Sequence, residues 1–595
     1  MSNGEWHMTD EKLAGRQTQP VLTVEVAVWI LVAAIALVLR LVHLDAAPLN
    51  AGEAREAMLA WRAATGQGMP GSGYSPLLLG LDALLFALCG ASDSLARLWP
   101  ALLGGGLALT PWLLRLRIGR VGALVAGLYL ALSPTALVAS RQLDGAVAAA
   151  LGGMAFLGGL VRFRDTDNRP WLTLSAGGLA LAVTSSPSAY GLLLAMGLSW
   201  LLLAWAWPDG GIQQLRELVG LHLGHNLLVF VLVGLAFSTG IGWNPAGLGA
   251  AGGLLPAWIA RFDRVASSVA SPLTLLAVYE PLALLFGLGG LVWAIQHGHR
   301  PGVLLGLWAG LGALLMALMP GRTVLDTLWA LLPLAMLTGV TTESLVQNLR
   351  ERGGWLSEGL YIPVVVILWV HLYLMLGRYA VSGRSEDLAL ALLTAALQVL
   401  LVMMFALAMR VDAALRALGV GTGVVCLAAT ISAGWGSAYA RPADPRELLV
   451  NEPTAVEVRD LVETLRDLSW RETGLPTTLP FTFEAAPDSV LAWYLRDFGA
   501  ARRVEDLEGE VGSVLVTAWG DLGGPTLSGG PEGVDFVGQD FALGRSWSPL
   551  EIGCTWEWPP QCSAGVKWLL FRSTPVAPVV DQRAALWLRP DVASE

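Results

Sequence analysis

Charge is scarce in this chain. Only 14% of its 595 residues are Asp, Glu, Lys or Arg, against roughly a quarter in an ordinary soluble domain. That scarcity excludes a disordered protein, which needs much charge and little hydrophobicity. The net charge of −10 comes with no basic face for nucleic acid. Lysine stands only at Lys12 and Lys567. Cysteine is rare too, and four residues are too few for a disulfide scaffold. Cys89 and Cys426 lie in apolar runs and read as buried small hydrophobes. Cys554 and Cys562 sit in a polar, tryptophan-rich segment and could pair in an oxidising compartment. No G-x-x-x-x-G-K-[ST] loop is present, so ATP-driven transport is not expected. His222/His225 and His297/His299 have no carboxylate or thiol beside them to complete a metal site, so no cofactor is expected and a divalent metal finds no support. What the chain has instead is apolar length: 54% hydrophobic residues in long blocks, with mean hydropathy +0.58. This is the composition of a polytopic membrane protein.

About 20 apolar residues cross a bilayer. On that criterion spans are expected near 22–44, 95–114, 119–139, 145–162, 170–186, 188–207, 222–243, 273–296, 302–320, 323–343, 359–377, 387–409 and 413–434. The stretch 76–90 is apolar but short and carries Asp82, and it reads as a helix in or at the interface. Leaving it out places the arginines of RLRIGR (115–120) and RFRDTDNR (162–169) on the cytoplasmic side, as the positive-inside bias requires. Residues 1–21 then form a cytoplasmic tail without a cleavable signal, and residues 22–439 form the membrane domain, with outer-loop helices within 45–92. After Trp435 the hydropathy falls. Residues 440–595 read as a soluble, extracytoplasmic α/β domain, with an amphipathic helix over 453–469 and a strand over 512–518.

In a membrane protein, function shows in the polar residues that a bilayer excludes. The first outer loop carries Glu53, Arg55 and Glu56 in GEAREAMLAWRAATGQG, with Asn50 placed to cap the helix and Glu53 in its first turn. The second loop, SPTALVASRQLDGAVAAA, carries Arg141 and Asp144 at a helix mouth. Tyr279 and Glu280 (VYEPL) stand inside a span beside Pro281, and Arg322 sits in a tight outer turn, MPGRTVLD, where an anion would suit it. Each also has an ordinary reading, as a surface charge, an interfacial pair or a lipid-headgroup contact.

In their order and spacing these stretches resemble the GT-C superfamily of integral-membrane glycosyltransferases. The likeness is to the protein-mannosyltransferase and aminoarabinose-transferase type and to relatives associated with lipid-linked sugar flipping. GEAREAMLAWRAATGQG is similar to the family's D-E-A motif and alanine-rich helix. YSPLLLGLDALLFALCGASDSLARLWPALLG is similar to its juxtamembrane helix and Arg-Leu-Pro run, and LSPTALVASRQLDGAVA to its second loop. VYEPL, MPGRTVLD and AWYLRDF (492–498) resemble elements of the flipping-associated relatives. One departure stands out: where the family has an aspartate before the glutamate, this chain has Gly52.

The resemblance implies transfer of a sugar from a polyprenyl-phosphate-linked donor to an acceptor (protein, lipid or polysaccharide) at the extracytoplasmic face. It makes Glu53 the general base and lets Asp144 orient the acceptor or share the proton. It gives Arg322, with Arg141 or Arg55, the lipid phosphate, and it places Tyr279 and Glu280 along the donor groove. Membrane lipids are the other expected partners, and nucleic acid is not one. Two rival readings remain. Gly52 suits a degenerate GT-C scaffold that binds or helps flip lipid-linked sugars, and a secondary transporter would need repeats and broken helices with polar groups near mid-membrane.

Overall fold

The computed structural model describes residues 24–68, 71–207, 211–265, 269–352, 355–408, 410–450, 452–505, 512–520, 536–548 and 562–589. Among the described residues eight helices are long and apolar enough to cross a membrane, and two sharply bent helix pairs raise the number to ten. The other three expected spans correspond to shorter helices: Leu98–Leu109 continued by a 3₁₀ turn to Leu114, Pro170–Val183, and the apolar part Leu223–Thr239 of a longer helix. The segment 76–90 forms a 14-residue helix, Pro76–Cys89. The chain is a multi-pass membrane protein with a small sheet domain at its C-terminal end.

The two bent pairs explain each other. Arg120–Leu132 and Pro134–Ser140 meet at 57°, and Pro272–Tyr279 and Pro281–Gln296 meet at 106°. In each case proline at the start of the second helix removes an N–H and stops the first. A break inside a membrane frees backbone groups that water cannot reach. Glu280, fully buried at one break, accepts from Ser133 Oγ at 2.6 Å, from the Thr135 amide at 2.9 Å and from the Tyr129 hydroxyl, all at the other break. Arg40, also fully buried, serves the opposite polarity and donates to the carbonyls of Leu130 (3.0 Å) and Ala131 (3.2 Å). One carboxylate and one guanidinium therefore close the two ends of the 133 break. Elsewhere helices touch directly: a Cβ on Gly122 would lie 2.6 Å from the Gly339 carbonyl oxygen, the close approach that small residues allow.

Among its described residues the C-terminal domain holds a five-stranded mixed sheet of β1 (Thr482–Glu484), β2 (Arg502–Val504), β3 (Val514–Gly520), β4 (Val537–Ser546) and β5 (Val579–Leu588), in the order β2-β1-β3-β5-β4. β1 runs parallel to β2 and β3, and β5 runs antiparallel to β3 and β4. The amphipathic helix Glu457–Thr473 lays Val458, Leu461, Val462 and Leu465 on Phe483, Val514, Val516 and Leu586. Cys562 is disulfide-bonded, while its expected partner Cys554 lies outside the described residues.

AWYLRDF turns out to be the joint between the two domains. Asp93, just after the Pro76–Cys89 helix, accepts from Trp493 Nε1 (2.9 Å), Tyr494 Oη (2.7 Å) and Arg459 Nη2 (3.0 Å). Arg496 donates to the Ala91 carbonyl at 2.8 Å, and the Leu49 amide donates to Tyr494 Oη at 2.9 Å. Hydrogen bonds to a charged group each contribute roughly 1.5–3 kcal/mol. Asp93→Ala should therefore loosen the joint by about 3 kcal/mol, raising amide exchange in residues 490–496 about a hundredfold. Unchanged exchange there would show that Asp93 does not hold the domains together.

Candidate functional site

The site is built on the helix Ala51–Ala64. Its N-terminus carries a full capping box: Asn50 Oδ1 accepts the Glu53 amide, and Glu53 Oε2 accepts the Asn50 amide, both at 3.0 Å. Glu53 is then almost wholly buried and fully used. Arg97 grips it with two bonds, Nε to Oε1 at 2.8 Å and Nη2 to Oε2 at 2.6 Å, and the Leu143 amide donates to Oε1 at 2.8 Å. Arg97 spends its remaining donors on the carbonyls of Leu44, Ala47 and Pro48. This one ion pair ties the first loop, the start of the next membrane helix and the second loop together.

Glu56 follows one turn later, and its position is different. It is half-buried, and among the described residues its two carboxylate oxygens receive only the Ser75 amide, at 3.2 Å each. Asp144 is also half-buried, with Oδ1 accepting the Ala146 amide at 2.6 Å at the mouth of the helix Ala146–Thr166. Gly145 brings this turn against the carbonyl of Ser185, where a Cβ would lie 2.0 Å from the oxygen, so only glycine fits. Glu56 and Asp144 line one cavity of about 420 Å³, together with Glu53, Arg55, Tyr74, Arg264 and Glu452. Burial pushes the Glu56 carboxyl up to about 7; the charge of Asp144 adds to the rise, and the Ser75 amide and Arg55 oppose it. Burial likewise raises the Asp144 carboxyl above its ordinary value, reinforced by Asp326 and Glu53 and opposed by the Ala146 amide and Arg261.

Arg55 and Arg264 are exposed and make no ion pair among the described residues. A second cavity of about 360 Å³ adjoins the first, with Val324 and Glu452 on the lining of both. Glu452 stands at that junction with φ +44°, a left-handed backbone that side chains other than glycine, asparagine and aspartate seldom take. The arrangement pairs a carboxyl poised to take a proton near neutrality with two arginines open to an anion.

The residues singled out from the sequence divide between site and scaffold. Glu53, Arg55 and Asp144 come together on the cavity wall. Glu53 departs from the expected base because Arg97 and two backbone amides, of Asn50 and Leu143, already hold its lone pairs. Arg141 departs from the expected phosphate contact: it caps the first membrane helix, donating to the carbonyls of Leu39, Arg40, Val42 and His43. Tyr279 and Glu280 depart from the expected donor groove, since both are fully buried. Tyr279 Oη donates to Glu447 at 2.8 Å and accepts the Leu448 amide, and Glu280 closes one side of the break at 133. Arg322 donates through Nε and Nη2 to the Val269 carbonyl at 3.1 and 2.8 Å, while the next residues, Thr323 and Val324, reach the cavity. The neighbouring Arg261 is tied to buried Asp326 at 3.1 Å.

Glu56, Arg264, Glu452 and Arg97 were given no role by the sequence. For Glu56 a signal existed: the Asn50-x-x-Glu53 spacing marks a capping box, which gives Glu53 structural work and leaves the next carboxylate free. Arg264 and Glu452 come from distant segments with no local signature. Among the described residues no group of three or more His, Cys, Asp or Glu is arranged to hold a metal.

No family model matches the sequence, and no curated protein matches it. Solved structures do resemble it. ArnT from Cupriavidus metallidurans bound to undecaprenyl phosphate matches at 16% identity and TM-score 0.53, over 82% of this chain and 92% of that one. The apo form of the same protein matches at 18% identity and TM-score 0.50, over 80% and 85%. The archaeal oligosaccharyltransferase AglB from Archaeoglobus fulgidus matches at 12% identity and TM-score 0.45, over 80% and 64%. The likeness to ArnT shows that this chain shares its fold.

The geometry separates the two glutamates. Glu53→Gln leaves buried Arg97 without its counter-charge, and breaking a buried pair from one side costs roughly 3–5 kcal/mol. A marked fall in thermal stability of the purified protein is expected for Glu53→Gln and none for Glu56→Gln. Equal stability of the two variants would contradict the assignment of Glu53 as scaffold.

Proposed function

We propose that this chain is a membrane glycosyltransferase that moves a sugar from a polyprenyl-phosphate-linked donor to an acceptor hydroxyl at the extracytoplasmic face. The observation that carries the reading is the cavity lined by a raised carboxyl, Glu56, by Asp144 and by the exposed Arg55 and Arg264. The fold shared with ArnT, whose structure holds undecaprenyl phosphate, supports a donor of that class.

In the reaction, the acceptor oxygen attacks the anomeric carbon and forms the new C–O bond. The bond from that carbon to the phosphate oxygen breaks, and polyprenyl phosphate leaves with the electron pair. Glu56 takes the acceptor proton, a task suited to a base whose affinity lies near the working pH and worth roughly 10²–10⁴-fold in rate. Asp144 orients the acceptor hydroxyl and keeps the Glu56 proton affinity high. Arg55 and Arg264 receive the leaving phosphate, whose oxygens their planar forks match. Glu53 acts at one remove, by fixing the helix that carries Glu56. The adjoining cavity under the sheet domain seats the acceptor, with Glu452 at the passage between the two.

Gly52 favours one other reading, a binding scaffold without chemistry, because the family's aspartate is missing there. Turnover separates the two. Purified protein given labelled polyprenyl-phosphate sugars should transfer label, and Glu56→Gln and Asp144→Asn should each lower the rate by roughly 10²–10⁴-fold while the protein stays folded. The base acts as carboxylate, so the wild-type rate should climb with pH through about 7, and that limb should vanish in Glu56→Gln. Full activity of Glu56→Gln would overturn the role of Glu56. Absence of turnover with bound donor would leave the scaffold.

A further inference from the structure

The adjoining cavity, at about 360 Å³, falls within the roughly 300–1,000 Å³ of small-ligand sites. Its sheet-domain wall comes from β4 and β5, where the register of the pair shifts at Gly544. Such a bulge bends a strand and re-aims the side chains beside it; here Arg545 and Trp547 follow it onto the cavity lining. Asp581 and Gln582 reach the lining from β5, where Gln582 pairs with Gly544. A Cβ on Gly544 would lie 2.7 Å from Asp581 Oδ1, so the bare glycine makes room for that carboxylate.

Three buried polar atoms on this one lining have no hydrogen-bond partner among the described residues: Asp581 Oδ1, Arg545 Nε and Trp547 Nε1. A native fold leaves few such atoms, and the set combines one acceptor with two donors. Trp547 is backed by Trp568, stacked at 5.8 Å between centroids and 25° between planes, and Trp568 is itself held by its Nε1 bond to the Arg446 carbonyl at 3.0 Å. Arg545 is answered by Glu457, and Glu447 by Arg441 and Arg572, so the lining offers an anion no open cation among the described residues. A phosphate would meet Asp581 and Glu452 instead. An extended peptide needs a free strand edge, but Thr454 bridges Gly544 and the Ala455 amide donates to the Leu543 carbonyl at 2.8 Å, closing the β4 edge there. A lipid tail would leave the three polar atoms unmet. A hydroxyl both donates and accepts, and the C–H face of a pyranose suits the negative face of an indole.

We infer that this cavity is a subsite for a neutral pyranose, the end of a saccharide acceptor. Its C–H face lies on Trp547, its hydroxyls meet Asp581 Oδ1 and Arg545 Nε, and a hydroxyl beyond the indole edge meets Trp547 Nε1. The inference rests on the sugar-transfer reading for the saccharide's role as acceptor, whose reacting hydroxyl passes Glu452 into the first cavity.

Saturation-transfer NMR on the purified full chain tests it, with the methyl glycosides of glucose, mannose, galactose and N-acetylglucosamine as probes. At least one should bind, with the strongest transfer to the ring C–H groups of one face. Trp547→Leu and Asp581→Ala should each weaken that binding about tenfold. Asp581→Ala should leave thermal stability unchanged, since Oδ1 has no partner to lose, and so keeps the test valid if Trp547→Leu unfolds the sheet domain. Glu56→Gln should bind the glycoside as wild type does. Binding by none of the four glycosides, binding unaffected by Asp581→Ala in the folded protein, or binding of a neutral serine peptide in their place would overturn the subsite. Glycoside binding that depends on Asp581, in a protein that transfers no label, would uphold the subsite and remove the transferase reading. Label transfer to a lipid or peptide, with no glycoside bound, would keep the transferase reading and overturn the saccharide.

Discussion

The buried pair of Glu53 and Arg97 is the constraint on which the rest of the site depends. A guanidinium and a carboxylate removed from water are tolerated only when nearly all their hydrogen-bonding capacity is met. Here Arg97 satisfies Glu53 twice and three loop carbonyls besides, while Glu53 satisfies the cap of its own helix and the amide of Leu143. Neither charge can move without leaving the other unpaired. The helix Ala51–Ala64 and the second loop are therefore fixed relative to one another, and Glu56 and Asp144 on the cavity wall are fixed with them.

The same logic recurs through the molecule. At the 133 break and at the end of the first helix, buried charges meet freed backbone groups: Glu280 and Arg40 at the former, Arg141 at the latter. Glu447, also buried, joins Arg441, Arg572 and Tyr279 where the sheet domain meets the membrane domain. Most ionisable groups that the bilayer should exclude are thus architectural. Glu56 differs because its carboxylate receives one backbone amide and no ion pair among the described residues. A carboxylate left so short of partners in a buried wall raises its own proton affinity, which is the property a general base needs.

Much of the fold was legible because bilayer crossing is a demand on composition and length alone. The apolar runs from Val24 to Trp435 all became helices, and the short run at 76–90 became a short helix. The bends were less legible: the expected spans 119–139 and 273–296 ran straight through Pro134 and Pro281, where the helices break, and nothing local to either said that Glu280 would close the other break. The site followed the same division. Asp144 and the 53–56 helix were readable as loop carboxylates, and the capping spacing of Asn50 and Glu53 held the clue that Glu53 was committed elsewhere. Burial decided which carboxylate stayed open, and burial depends on Arg97, 44 residues away. Arg264 and Glu452 reach the cavity only through tertiary folding.

The central claim is that Glu56 is the carboxyl that exchanges a proton near neutrality. Infrared titration of the purified protein in membranes measures this without knowledge of the sugar. A protonated carboxyl band should fade as pH rises through about 7, and it should be absent from Glu56→Gln. A band that persists unchanged in Glu56→Gln, or no carboxyl titrating near neutrality, would contradict the account.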